Sequence, residues 1–249
     1  GDLSSLVQIT IERNTVNGRP LLYHKNEDDI VLDGLEVGQI ILVNCSSFRI
    51  RNINVWNTDV GIEIAYSSKG NLSNCNVYSN NIYGIVLGSN NTIHNCNILS
   101  NGYGIQAGSN NTISNCSISS NDYGIYTYSS FNNTISYCNI SSSNDYGIFL
   151  ASSNDNTIFF NNFIENRNDI YSSDSTNIWN SAPRIIYTYN SGTHKNHLGN
   201  YWDKYSSYDN NGDGIGDNPY SVNGEYDYYP CLLYTSDAAD DMQCVDLGG

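Results

Sequence analysis

From Gly70 to Asn166 the sequence has no lysine and no arginine, and only Asp122, Asp145, Asp155 and Glu165 carry negative charge there. Proteins that grip a phosphate backbone do so with clustered cations, so nucleic acid is excluded as an expected partner. Alanine is almost missing from the same stretch. Asparagine, serine and β-branched residues fill it instead, a composition that disfavours helix and suits strands and turns. No run of 18 apolar residues occurs, which predicts no membrane-spanning helix within these residues. The one methionine is Met242, and the chain opens on Gly1. It is therefore expected to be a piece of a longer protein, whose leader or anchor would lie elsewhere.

The end of the chain stands apart. Cys231–Asp240, CLLYTSDAAD, resembles one reading frame of a sequencing-library adapter. Cys244–Gly249 resembles the adapter that follows it, and Asp241–Gln243 fill the space of a sample index. Residues 231–249 are accordingly read as a non-native tail and kept out of fold reasoning. The tail holds four of the 25 acidic residues (Asp237, Asp240, Asp241 and Asp246), so the net charge without it is −11 rather than −15.

What the sequence does contain is repetition. Residues 89–105, SNNTIHNCNILSNGYGI, return as residues 109–125, SNNTISNCSISSNDYGI. Gly-Ile pairs begin at Gly61, Gly84, Gly104, Gly124 and Gly147, and Asp169-Ile170 takes the next place. A fixed period of this size marks a solenoid, propeller or array. Two-helix repeats need longer units, so 20–23 residues fit one coil of a parallel β-helix. Stacking the units predicts four inward ladders: Ile62, Ile85, Ile105, Ile125, Ile148, Ile170; Ile64, Leu87, Ala107, Thr127, Leu150; Leu72, Ile93, Ile113, Ile135, Ile158; and Val77, Ile98, Ile118, Ile140, Phe163. Cys75, Cys96, Cys116 and Cys138 form a fifth, read as buried free thiols acting as small hydrophobes. Cys45 lies off that ladder and is also expected to carry no disulfide. Equivalent side chains lie about 4.8 Å apart from rung to rung. One coil cannot bury its apolar face alone, whereas a stack can. Asn90, Asn110 and Asn132 recur at one turn and are expected in the left-handed conformation that asparagine tolerates.

The two ends are less repetitive. NTVNGRPLLYHKNEDDIVLDG (14–34), with GQIILVNCSSFRIRNINVWNTDVGI (38–62), resembles the opening of NosD-type β-helix proteins. GNYWDKYSSYDNNGDGIGDNPYSVNGEYDYYP (199–230) is similar to the segment that closes such domains. The resemblance covers nearly all of residues 8–230. It implies an all-β, right-handed parallel β-helix over residues 1–175, with an irregular C-terminal cap over 176–230. Its relatives include carbohydrate-binding proteins and sugar hydrolases, exported surface proteins, and a periplasmic protein implicated in copper supply. The location it implies is extracellular, cell-surface or periplasmic.

Several residues are candidates for chemistry. Asp209, Asn211, Asp213, Ile215 (through its carbonyl) and Asp217 follow most of an EF-hand-like calcium loop, with Gly214 at the sharp turn. Tyr220 stands where that loop places its bidentate glutamate, so Asp203, Glu225 or Asp227 would have to supply the missing oxygen. His194 and His197 could pair on copper, which accepts imidazole; solvated loop histidines are the plainer reading. Asp122 and Asp145 fall at one place in adjacent coils, near enough for a retaining glycosidase pair, although Asn-Asp-Tyr-Gly also explains them as turn residues. Ser-His-Asp or Cys-His catalysis has no motif here. The outward column after each Gly-Ile is Glu63, Val86, Gln106, Tyr126, Phe149, Tyr171. Its last three rungs form an aromatic strip suited to carbohydrate or to a surface-layer protein. A second column, Tyr83, Tyr103, Tyr123, Tyr146, sits at a bend that leaves its direction open. Asn-X-Ser/Thr sequons at Asn44, Asn71, Asn90, Asn110, Asn115, Asn132 and Asn139 fit an exported protein, and the repeat alone also explains them. The leading expectation is a non-catalytic exported domain binding carbohydrate or surface-layer components. A periplasmic copper-accessory protein and a polysaccharide hydrolase or lyase are the alternatives.

Overall fold

The computed structural model describes residues 13–232. Among the described residues there is no helix. The chain winds into a parallel β-solenoid of about 7 turns with three sheets along its length. The first sheet has nine strands, from Thr15–Val16 and Arg19–Lys25 through Gln39–Val43, Val60–Ala65, Tyr83–Leu87, Tyr103–Ala107, Tyr123–Tyr128 and Tyr146–Ala151 to Asn168–Ser173. Two seven-stranded sheets of short strands complete each coil. One runs from Val31–Asp33 to Thr157–Phe159, the other from Asn54–Trp56 to Tyr201–Trp202.

Rung-to-rung register is that of the repeat. Ile85 pairs with Ile62 and Ile105, Ile93 with Leu72 and Ile113, and Ile98 with Val77 and Ile118. All four aliphatic ladders are buried, joined at the start by Ile40, Leu42, Ile50 and Val55. Cys75, Cys96, Cys116 and Cys138 are buried and carry no disulfide, as is Cys45. Each ladder thiol donates to the carbonyl two residues before it. The hydrogen bond shared with the Cys116 thiol, then burial, pushes Cys96 up to about 12.

The corners explain the asparagine. Asn52, Asn74, Asn95 and Asn115 all turn with φ between 52 and 56°, and Asn90, Asn110 and Asn132 with φ of 61, 58 and 56°. Beside this outer column runs a buried one that the sequence reading passed over: Asn91, Asn111, Asn133, Asn156, Asn177. In it the backbone N–H of every member but Asn177 donates to the Oδ1 of the next coil's asparagine, at 2.8–3.1 Å. Asn80, Asn101 and Asn121 form a second internal ladder, and Asn161 and Asn200 part of a third. Buried polar groups need partners; here stacking supplies the ladder's backbone N–H groups with acceptors coil by coil.

The Gly-Ile glycines are required by close approach. A Cβ on Gly61, Gly84, Gly104, Gly124 or Gly147 would lie 2.4–2.7 Å from the carbonyl oxygen of the same position one coil on. Asp169 takes that position in the final rung, where no further coil of this sheet is stacked.

Both ends are closed. At the first, Arg19 is buried, lies 3.6 Å over the Trp56 ring and donates to the Trp56 carbonyl. At the other, the cap enters the rod: Trp202 pairs with Phe163 and stacks on it at 4.4 Å. Two antiparallel hairpins follow the last long strand, Ile185–Tyr189 with Gly192–Asn196 and Tyr220–Val222 with Glu225–Asp227. Cys231, the first residue of the segment set apart as a tail, is buried among Tyr187, Leu198 and Ile215. Residues 233–249 lie outside the described residues.

Candidate functional site

The outward column of the first sheet is in register as expected, Glu63–Val86–Gln106–Tyr126–Phe149–Tyr171. Its three rings stack face to face, Tyr126 on Phe149 at 5.0 Å and 11°, and Phe149 on Tyr171 at 4.4 Å and 7°. The tyrosine column also faces outward, and its rings stack at 5.0 Å (Tyr83–Tyr103), 4.9 Å (Tyr103–Tyr123) and 6.0 Å (Tyr123–Tyr146). The two columns meet edge to face, Tyr103 with Tyr126 at 5.1 Å and Tyr146 with Tyr171 at 5.5 Å. Parallel register places like rings above one another, and offset stacking and T-shaped contacts are the favoured aromatic geometries. The result is one platform of seven half-buried rings, locked by mutual contact. Burial pushes the Tyr126 hydroxyl above its ordinary pKa, and burial, then Asp145, does the same to Tyr123.

A polar ledge borders the platform. Gly102 and Asp122, the corner residues before Tyr103 and Tyr123, line a groove together with Asn81 and Asn144. Asn144 donates to Asp122 Oδ1 at 2.9 Å and Asn81 to Asp59 Oδ1 at 2.9 Å. Asp145 Oδ1 lies 3.6 Å from Arg167 Nη1. Asp122 and Asp145 thus each hold a neighbouring corner, and Asp145 N–H donates to the Asp122 carbonyl.

The remaining candidates lie in the cap. Asp209 accepts from the N–H groups of Asp213 and Gly214, Asn211 Oδ1 from Asp213 N–H, and Asp213 Oδ1 from Ile215 N–H. Asp217 accepts from Asn210. Asp209, Asn211 and Asp213 are therefore gathered by one loop, and Tyr187 donates to the Asp213 carbonyl. Among the described residues no three His, Cys, Asp or Glu side chains converge to hold a metal ion. The three residues named to complete the loop each accept hydrogen bonds from other groups. Glu225 accepts from Asn177 N–H and Trp179 Nε1, Asp227 from Asn200 N–H and Trp202 Nε1, and Asp203 from Glu165 N–H. Their carboxylates are taken by the orphan donors of the last coil, which no following coil satisfies. His194 stacks on Tyr187 at 5.5 Å, whereas His197 turns Nδ1 to the Ser181 carbonyl at 2.8 Å and packs on Tyr229. The two imidazoles are given different neighbours.

Sequence reasoning missed a cleft of about 340 Å³ between the last coil and the cap, lined among others by Arg167, Asn168, Asp169, Lys204 and Tyr220. The break in the glycine column at Asp169 was its one visible signal.

Three parallel sheets, closed ends and a ring platform on one flank define a β-solenoid protein with an aromatic lateral face. Residues 7–207 match the family described as periplasmic copper-binding protein (NosD), and the chain belongs to that family. No curated protein sequence matches it. Among solved structures, the A-module of mannuronan C-5 epimerase AlgE4 from Azotobacter vinelandii is 18% identical, with 63% of this chain and 53% of that one covered at a TM-score of 0.30. The A-module of AlgE6 from the same organism is 12% identical, with 60% and 63% covered and a TM-score of 0.33. The chain thus spans less than two thirds of either module.

Proposed function

We propose that this chain is a non-catalytic, exported β-solenoid domain that binds carbohydrate along its aromatic platform. The observation that carries the reading is the joining of Tyr126, Phe149 and Tyr171 with four tyrosines into one rigid outward face beside an amide-lined groove. Flat rings accept the C–H faces of sugar rings, while amides and carboxylates at the edge accept and donate to hydroxyls. Locking the rings before binding removes an ordering cost that flexible side chains would incur. An extracellular, cell-surface or periplasmic location agrees with the family description. No helix of the described residues is long and apolar enough to cross a membrane.

The test is a glycan array probed with the protein and with Tyr126→Ala and Phe149→Ala. Each substitution is expected to weaken binding about tenfold, since stacking on one aromatic ring is worth on the order of 1 kcal/mol or more. Undiminished binding by both variants overturns the reading. A protein that binds no glycan but retains copper through His194 and His197 would establish instead the copper role that the family description names. A surface-layer protein captured through the same rings would keep the face and change its partner. The cap loop is proposed to take calcium through Asp209, Asn211 and Asp213, as a structural ion.

A further inference from the structure

The register of the first sheet carries the tyrosine column one rung beyond Tyr146, to Asn168. Asn168 and Arg167 form one wall of the cleft against the cap, and Lys204 and Tyr220 the other. Here a track of uncharged rings first meets positive charge, because Arg167 is the first cation in the sequence after Lys69. Lys204 Nζ donates to the Asn166 carbonyl at 2.8 Å and lies 3.6 Å from Asp169 Oδ2; Arg167 lies 3.6 Å from Asp145. Both ion pairs are long, and the two side chains remain 49% and 73% exposed. A lysine has three donors and an arginine five, so each keeps donors for a ligand. Tyr220, stacked on the buried Trp202 at 4.6 Å, supplies a firm apolar wall. Asp169, the remaining charged lining residue, is buried and already met by Lys204 and by the Asn166 amide.

Resting on the carbohydrate reading, we propose that this cleft is the terminal subsite of the track and takes the carboxylate of an acidic sugar. The Arg167 fork would bind it bidentately and Lys204 would add a point charge. The platform then sets affinity for the chain of sugar rings, and the cleft selects uronic acids among them.

The test compares tetramers of galacturonate, mannuronate and glucuronate with their methyl esters, which keep the skeleton and remove the charge, by calorimetric titration of the whole chain. At least one acid is expected to bind about tenfold more tightly than its ester, with the difference shrinking as salt is added. Arg167→Gln, at an exposed position, should bring acid and ester within about twofold of one another while leaving ester affinity unchanged. Lys204→Gln should act likewise, and Lys204→Arg should keep the preference. Equal affinity for acid and ester, or a preference that survives both charge removals, overturns the subsite. If array glycans bind but no uronate does, the subsite falls and the platform stands. If no glycan binds at all, both fall.

Discussion

A single residue in this rod is judged mostly by the coil above it. A Cβ at position 124 would lie 2.4 Å from the Gly147 carbonyl oxygen, which belongs to backbone and cannot swing aside. Gly124→Ala is therefore expected to cost roughly 1–3 kcal/mol of overpacking, seen as a lower urea midpoint with unchanged slope. A wild-type midpoint would contradict the close approach. The same logic shows what was legible in the sequence. The inward ladders could be read because β-branched and aliphatic residues recur at a fixed interval, and the outer turn asparagines because they recur with them. The buried asparagines escaped notice because Asn91 follows Asn90 in the same motif, and composition alone does not say which of two adjacent amides turns inward.

At the scale of the element, the cap finishes what the coils leave open. Every coil takes the acceptors for its corner N–H groups from the next one, and the last coil has no successor. Glu225 and Asp227 provide the acceptors, and Gly199 leaves the room: a Cβ there would fall on the Asp227 carboxyl. Asp227 is fully buried, and burial pushes its pKa up to about 7 although four donors to it pull the other way. A folded-state value above the ordinary one near 3.8 means that the folded protein binds the proton more tightly. The stability it contributes is thus complete below the ordinary value and lost as pH rises through 7. Thermal stability is expected to rise from pH 8 to pH 5 by roughly 2 kcal/mol, and Asp227→Asn should flatten that dependence. A profile that rises toward alkaline pH and ignores the substitution would contradict it. For the calcium loop, chelation is expected to lower the melting temperature of the wild type and not that of Asp209→Asn combined with Asp213→Asn; equal melting with and without chelator counts against calcium. This element was least legible in the sequence. The acidic motif was plain, but two of the carboxylates named to complete it, Glu225 and Asp227, also close amide ladders, a role visible only once the last coil is placed.

The whole molecule is a rod with two finished ends and one distinctive flank. Its backbone is fixed by ladders that any β-solenoid could share, so the fold alone says little about function. What is particular is the distribution of side chains along the outside: seven rings in two columns, a ledge of amides and acids beside them, and cations at the terminus where the rings stop. One of the platform's two columns could be read from the sequence, since Tyr126, Phe149 and Tyr171 follow an inward isoleucine and must point out. The tyrosine column could not, because it comes directly after the corner that leads into the sheet. The most direct test of the platform is nuclear magnetic resonance of protein with labelled tyrosine and phenylalanine rings, titrated with the tightest-binding array glycan. Shifts concentrated in Tyr103, Tyr123, Tyr126, Tyr146, Phe149 and Tyr171 are the predicted result. Shifts confined to cap rings such as Tyr208 and Tyr228 would contradict it.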